Sequence, residues 1–389
     1  MAYISSHDNR FYVASEQSYG QVAASTAFNR IPAVKLTVHQ QRERTDRKDK
    51  TGSRTFAGYP VGGRKTTTFD LTTYVRNWSD QTREPGYGPL FQACLGRPAA
   101  IANQIAVASL PSADHITFAA AHGLTPGQSV VYGGEMRFVA AVVDGLTVQI
   151  NAPFSVPPAG GTTTGATATY FPGTAMTSAT ILDCWSPSSA VQRMLYGVAM
   201  DQLQMQINGD FQEFRFSGPA CDVVDNASFQ QGQGGLNAFP PEPAAAAFDY
   251  SIIPGHLGEV WLGSIPNQFF TLTSATVIVK NNVQLRDHEF GSSHARGISS
   301  GIRSVTVDFS LYQQDDSQTK ALYQAARQES PVSVMFQLGQ QAGQLMGVYL
   351  KGVVLETPEF DDTEVRQRWV FKSCRAQGSV DDEVSIAFG

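Results

Sequence analysis

The sequence predicts a mainly β protein made of two homologous β-domains, each with one short helix, plus an inserted small β-domain. Composition leans that way: the 389 residues include 35 Gly and 23 Phe, with 42% hydrophobic and 16% charged residues, values of an ordinary globular chain tilted towards strands. Alternation is the second observation. Val305, Val307, Phe309 and Leu311 interleave with Ser304, Thr306, Asp308 and Ser310, the two-residue period of a strand with one buried face. The third is internal repetition: a shortened copy of the stretch 273–338 lies near the other end of the chain.

That stretch reads TLTSATVIVKNN, a long polar loop, GIRSVTVDFSLY, an acidic stop, KALYQAARQES and PVSVMFQLG. In its first strand Val277 and Val279 point one way, and Thr276, Ile278 and Lys280 the other. Asp315, Asp316 and Ser317 offer a helix N-cap, Ala321, Leu322, Ala325 and Ala326 repeat at helical spacing, and Pro331 forbids continuation. The unit is strand, long loop, strand, helix, strand.

Taken in order, residues 1–32 are polar and read as an arm outside the domains. Residues 33–99 with 174–221 form the first domain: a strand at Val34–Val38, a charged loop over 41–65 and a strand at Thr66–Tyr74. Setting GRKTTTFDLTTY beside GIRSVTVDFSLY aligns Gly63 with Gly301, Lys65 with Arg303, Asp70 with Asp308 and Tyr74 with Tyr312, a spacing of 238 (312 less 74). Leu90 to Cys94 matches Leu322 to Ala326, and Gly197-Val198 followed by Leu203 and Met205 matches Gly347-Val348 followed by Val353 and Leu355. Three matches in one order point to duplication. Residues 100–173, with ITF, SVVY, MRFVAAVV and LTVQI between Gly and Pro turns, are an inserted β-domain hanging off the first copy. Residues 222–270, rich in Gly, Gln, Pro and Ala, read as a linker, and 271–389 as the second domain.

Net charge is −6, so no global basic field recruits nucleic acid. Cys94, Cys184, Cys221 and Cys374 form no C-x-x-C pair and read as buried free thiols rather than disulfides or a zinc site. No apolar run reaches the roughly 18 residues of a membrane span, and no leader-like apolar segment opens the chain, which fits a protein made in a reducing cytoplasm.

Motifs with chemistry are weak. Gly297-Ile298-Ser299-Ser300-Gly301 satisfies G-x-S-x-G, but a nucleophile elbow needs a strand before the serine and a helix after it. Gly58 to Thr66 approaches a phosphate-cradling loop with Arg64 at the lysine position, and a strand follows. Asp287, His288, Glu289 and His294 cluster without a spacing that fixes a metal geometry. No catalytic, cofactor or metal residue is therefore assigned. Arg42, Arg44, Arg47, Lys48, Lys50 and Arg54 crowd one loop with Glu43, Asp46 and Asp49. Such a loop is a solvated mixed-charge segment, an arm pairing with acidic patches on a neighbouring subunit, at Asp315-Asp316, Asp361-Asp362-Glu364 or Asp381-Asp382-Glu383, or a direct DNA contact, against which stands the lack of an interleaved aromatic platform. Thr66, Thr68, Asp70 and Thr72, with Ser304, Thr306, Asp308 and Ser310, and then Gln202, Gln204 and Gln206, line polar strand faces. These are either the wet side of a sheet or a wall for a passing polyanion with no lysine or arginine to grip phosphate.

In this order of elements, with GRKTTTFDLTTY and GIRSVTVDFSLY as its best-preserved words, the chain resembles the tail tube proteins of long-tailed bacteriophages over 33–98 with 174–220 and over 272–388. The resemblance implies two tail-tube-like β-sandwich domains whose sheets join across subunits into a barrel, in rings that stack into the conduit for DNA ejection. It implies self-association in rings of three chains, contact with tape measure, terminator and distal tail proteins, transient passage of DNA, no membrane, and a place in the virion tail after assembly in the host cytoplasm. Asp70, Asp308, Thr68 and Thr306 are then the expected lumen residues. Arg42, Arg44, Arg47, Lys48, Lys50 and Arg54 are the expected inter-ring contacts, with loops 41–64 and 284–302 reaching the adjacent ring and the insertion on the outer surface. The alternatives are a distal-tail or terminator ring, and a carbohydrate-binding surface protein using Tyr132 and Phe138 in the insertion.

Overall fold

Strands form where the alternation is cleanest. In Lys65–Tyr74, Thr67, Phe69, Leu71 and Thr73 are buried, while Thr66, Thr68, Asp70 and Thr72 face away from the core. A slip of one residue would put Phe69 and Leu71 in water. The computed structural model of the chain describes residues 3–44, 46, 48–56, 58–59, 62–209, 211–244 and 248–389.

Unit one opens with β1 (Asn9–Ser15), β2 (Arg30–Ile31), β3 (Ala33–Arg42), β4 (Lys65–Tyr74) and α1 (Gly88–Leu95). Helix α1 carries Pro in its first turn and stops at Gly96, whose φ of 90° is the left-handed conformation glycine tolerates. The insertion holds β5 (Ala100–Ala102), β6 (Val107–Ser112), β7 (His115–Phe118), β8 (Ser129–Tyr132), β9 (Glu135–Val142), β10 (Thr147–Ile150) and β11 (Thr167–Tyr170). Unit one resumes with β12 (Ala179–Trp185), β13 (Arg193–Val198), β14 (Gln202–Ile207), β15 (Glu213–Ala220) and β16 (Asp222–Asp225). Unit two begins with β17 (Gly258–Gly263), β18 (Asn267–Gln268) and β19 (Leu272–Lys280), and its long loop carries β20 (Gln284–Leu285) and β21 (Ile298–Ser299). Then come β22 (Ser304–Tyr312), α2 (Ser317–Arg327), β23 (Val332–Leu338), β24 (Met346–Val354), β25 (Glu359–Asp361), β26 (Arg368–Gln377) and β27 (Ser385–Phe388). Asp316 caps α2 by accepting from Thr319 N at 2.6 Å, as the acidic stop predicts.

The pairing pattern of unit one recurs in unit two. The back sheet of unit one runs β16-β13-β12-β1-β2, and unit two pairs β27-β24-β23-β17-β18. The front row of unit one is β14-β15-β4-β3, and that of unit two is β25-β26-β22-β19. Irregularities fall in matching places: the register shift between Ala33 and Lys35 in β3 answers to one between Leu272 and Ser274 in β19. Phe214 and Phe216, opposite Thr73 and Leu71, take the places that Trp369 and Phe371 take opposite Leu311 and Phe309. One hydrophobic core runs between the back and front layers of both units, from Val13 and Ile181 to Phe216, Val307 and Phe371, the layered packing of a sandwich-type β protein.

Several expected boundaries change. Residues 1–32 are not an outlying arm: β1 pairs with β12 and β2, and Phe11, Tyr12, Val13 and Ala14 are buried. Glu16 anchors its end by accepting from Ser178, Thr180 and Gly197 N. The stretch 222–270 is not all linker, because β16, β17 and β18 are sheet members at its two ends. The match of Gly197-Val198 to Gly347-Val348 slips by five: β12 sets Ala179 against Val198, and β23 sets Val332 against Val353, so the structural counterpart is Gly352-Val353. The insertion has its own sheet, β6-β7-β10-β9-β8, and its own core around Ile116, Phe118, Val139 and Val148. It does not simply hang from unit one. Its root strand β11 pairs with both β5 and β27, and Met136 and Phe138 pack with Trp261, Met335 and Tyr349 of unit two, covering apolar surface that neither piece buries alone.

Candidate functional site

The front rows meet edge to edge. β14 pairs with β19, setting Met205 against Val277 and Gln204 against Ile278, so one continuous row runs β25-β26-β22-β19-β14-β15-β4-β3. Alternation aims one face of this row at the core and leaves the other polar. Across it Thr37 stands opposite Asp70, Asp70 opposite Ser217, Ser217 opposite Gln202, Gln202 opposite Lys280, and Lys280 opposite Ser304. Thr68, Asp70, Thr306 and Asp308 all lie on this polar face, as does Thr276 opposite Asp308.

Its charge differs from the expected one. Asp70 is not a bare carboxylate, because Arg215 on the neighbouring strand donates to it from Nη2 at 2.6 Å and from Nε at 2.9 Å. The hydrogen bond from Arg215 to Asp70 raises the arginine pKa further. Asp308 accepts from Ser373 N at 2.6 Å. Lys35, Lys280 and Arg375 share the face, so the expectation of a wall without lysine or arginine is corrected to a mixed-charge wall. Exposed pairs of this kind contribute about 0–1 kcal/mol each; their larger effect is to cancel local field.

Both ends of the row are bare. Among the described residues β3 pairs only with β4, and β25 only with β26. Phe360 on β25 is 53% exposed, although its counterpart Met205 on β14 is 2% exposed beneath β19. Unpaired edges are the part of a sheet that recruits another strand.

The basic loop lies beside the β3 edge. Arg42 is the last residue of β3, Arg44 sits 5.3 Å from the Tyr59 ring centroid, and Lys48, Lys50 and Arg54 are exposed; Arg47 lies outside the described residues. The second loop, 284–302, is not a free arm. It folds over unit one: Lys65 N donates to Ser293 O at 2.9 Å, Cys221 Sγ to Ala295 O at 3.3 Å, and Arg64 Nη2 to His288 O at 3.4 Å. The expected acidic docking patches are largely engaged within the chain. Lys351 holds Asp382 at 2.6 Å, and Arg303 holds Glu383 at 2.8 Å and Asp381 at 3.5 Å. Asp361 is held down to about 2, first by Thr363 and then by Arg368. The Arg303–Glu383 pair has a counterpart in unit one, Lys65–Asp222 at 3.0 Å.

The minor motifs resolve locally. Ser299 is extended in β21 opposite Gln284, and the next regular element is β22, so the strand-to-helix turn of a nucleophile elbow is not present there. The glycine-rich stretch at 58–66 leads into β4, with Pro60 and Val61 outside the described residues. Asp287 engages His288 at 2.6 Å and Glu289 engages Arg286; among the described residues no group of three or more His, Cys, Asp or Glu is arranged to hold a metal ion. Phe138, the expected sugar platform, is fully buried with its ring stacked on Tyr349 at 5.2 Å, and Tyr132 is half-buried against Phe154 at 6.1 Å. Phe138 is therefore not available to stack a glycan, while Tyr132 keeps part of its ring exposed.

All four cysteines are buried and unpaired, and burial pushes the thiols of Cys94, Cys184 and Cys221 up to about 12 and that of Cys374 up to about 11. Thiolate is the reactive form. The native protein is expected to leave a disulfide reagent such as Ellman's reagent nearly untouched at pH 8 and to release four equivalents only after denaturant is added; rapid native labelling would contradict the burial.

No protein-family model and no curated protein matches this chain.

Proposed function

We propose that the protein is a structural, non-enzymatic tail tube subunit of a long-tailed bacteriophage, made of two homologous tube domains. Its copies close into rings of three chains with pseudo-sixfold symmetry, and the rings stack into the conduit through which DNA leaves the virion. The observation that supports this reading is the internal seam. Two units of like wiring are already joined front row to front row by β14 and β19, and the composite row ends in two unpaired edges, β3 and β25, the counterparts of β19 and β14. Repeating the same join between chains pairs both bare edges of the row when it closes on itself.

In this reading the polar face lines the bore. Its hydroxyls and amides are punctuated by a few cations, of which Arg215 is already held by Asp70 and Lys372 by Glu359, so a polyanion meets few free cations and slides rather than binds. The insertion, docked on the back sheet of unit two, stands outside the bore. Tape measure, terminator and distal tail proteins are the partners at the ends of such a tube, in a virion tail assembled in the host cytoplasm.

Negative-stain electron microscopy of the purified protein, with its solution mass, tests the reading. Hollow tubes, or six-lobed rings with the mass of three chains, are the expected result. Rings that never stack would point instead to a distal-tail or terminator component, and monomers at high concentration would overturn the proposal.

A further inference from the structure

We infer that the seam between neighbouring chains copies the seam inside one chain residue for residue, and that it is sealed by Arg42 of one copy against Glu356 of the next. The inference rests on the ring reading above and fixes its partner surface. Pairing registers carry it. Val38 opposes Phe69 as Val277 opposes Val307, so β3 and β19 correspond with Val38 in the place of Val277. Met205 opposes Phe214 as Phe360 opposes Trp369, so Phe360 stands in the place of Met205. Inside the chain Met205 pairs with Val277 and Gln204 with Ile278. Between chains the same register sets Phe360 against Val38 and Glu359 against His39, and it buries the aromatic ring that a single chain leaves exposed.

The end of the internal seam is polar. Asn281 N donates to Asp201 O at 2.7 Å, Asn281 Nδ2 donates to the carbonyls of Cys94 at the end of α1 and of Met200, each at 2.8 Å, and Val283 N donates to Asp201 Oδ1 at 2.7 Å. By the same correspondence Arg42 takes the place of Asn281 and Glu356 that of Asp201. Arginine meets the C-terminal carbonyls of α2 and a carboxylate there, both favourable for a cation. Glu356 is exposed, and among the described residues no ion pair engages its carboxylate. It borders an open cavity of about 890 Å³ that also reaches Arg303, Arg375 and Asn281. The corresponding place in unit one, beside Lys65, Asp222 and Cys221, is covered by loop 284–302. The cavity is therefore the seat of the charged residues that follow Arg42 in the next copy, Glu43 and Arg44, which makes them contacts within the ring.

Two cysteines test the register. His39→Cys with Glu359→Cys changes only positions on the polar face, and the native thiols are buried. Mild oxidation of the assembled variant is expected to give reducible dimers and trimers. The pair Gln41→Cys with Glu359→Cys should give about tenfold less product, because a shift of two residues takes the α-carbons beyond disulfide reach. In parallel, Arg42→Glu should abolish assembly, and adding Glu356→Arg to the same chain should restore it. Rings by microscopy with no cross-link, or with the shifted pair favoured, overturn the seam and leave the ring reading standing. Failure of the charge swap to rescue assembly overturns the Arg42–Glu356 contact. Unmodified protein that stays monomeric overturns both readings.

Discussion

Replacing Arg137 with alanine is expected to cost about 3–5 kcal/mol, the usual penalty for removing one partner of a buried ionic cluster. Arg137 has no solvent exposure, yet it stands where the insertion meets unit two. Its guanidinium donates to Pro153 O at 2.9 Å and Met136 O at 2.8 Å, and it pairs with Glu135 and, at 3.2 Å, with Glu259. The Trp261 and Phe154 rings flank it at 4.8 Å and 5.2 Å. Burial lowers its pKa while Glu259 and Glu135 raise it, and an arginine so placed keeps its charge. Alanine would leave Glu135 and Glu259, each about 15% exposed, without a cation. Amide hydrogen exchange should show protection lost first along β8 and β9 and at β17, with β4 and β22 unchanged. Unchanged exchange at β9 would mean that the insertion docks without this cluster.

Phe91→Ala is the second large effect, expected at about 3–5 kcal/mol. Phe91 is fully buried on α1, stacked on Tyr170 at 5.1 Å, and edge-on to Phe214 at 5.1 Å, Phe216 at 5.6 Å and Phe388 at 5.6 Å. Those neighbours belong to β11, β15 and β27, so one truncation opens a cavity shared by unit one, the root of the insertion and the end of unit two. Its counterpart on α2, Tyr323, is only partly buried and touches Trp369 at 5.6 Å. Tyr323→Ala should therefore cost clearly less. Urea denaturation of the two variants, followed by fluorescence and circular dichroism, makes the comparison. Equal midpoints would show that the aromatic cluster does not tie the units together.

Much of this fold was legible because β4 and β22 alternate without interruption and α2 announces its cap at Asp316. The polar face could be listed from that alternation alone. Its charge could not, because placing Arg215 beside Asp70 needs the pairing of β15 with β4, strands separated by helix, insertion and three further strands. The alternating Glu213-Phe214-Arg215-Phe216 was the available signal. β1 was missed because Phe11 to Ala14 are buried on both sides and carry no two-residue rhythm. The slipped match in β24 has a simple cause: Gly-Val occurs at 347–348 and again at 352–353 within one strand, and only cross-strand register separates them. The bare edge at β25 was invisible because three residues rarely declare a strand.

The position of β27 bears on how the protein is made. Phe388 closes the aromatic cluster around Phe91, and its strand is held by β11 on one side and β24 on the other. A ribosome working at about 5–20 residues per second delivers Phe388 roughly 9–35 s after Phe214. Over that interval the pocket formed by Tyr87, Phe91, Tyr170 and Phe214 has no lid, and the nascent chain carries an unfilled aromatic site that β27 completes.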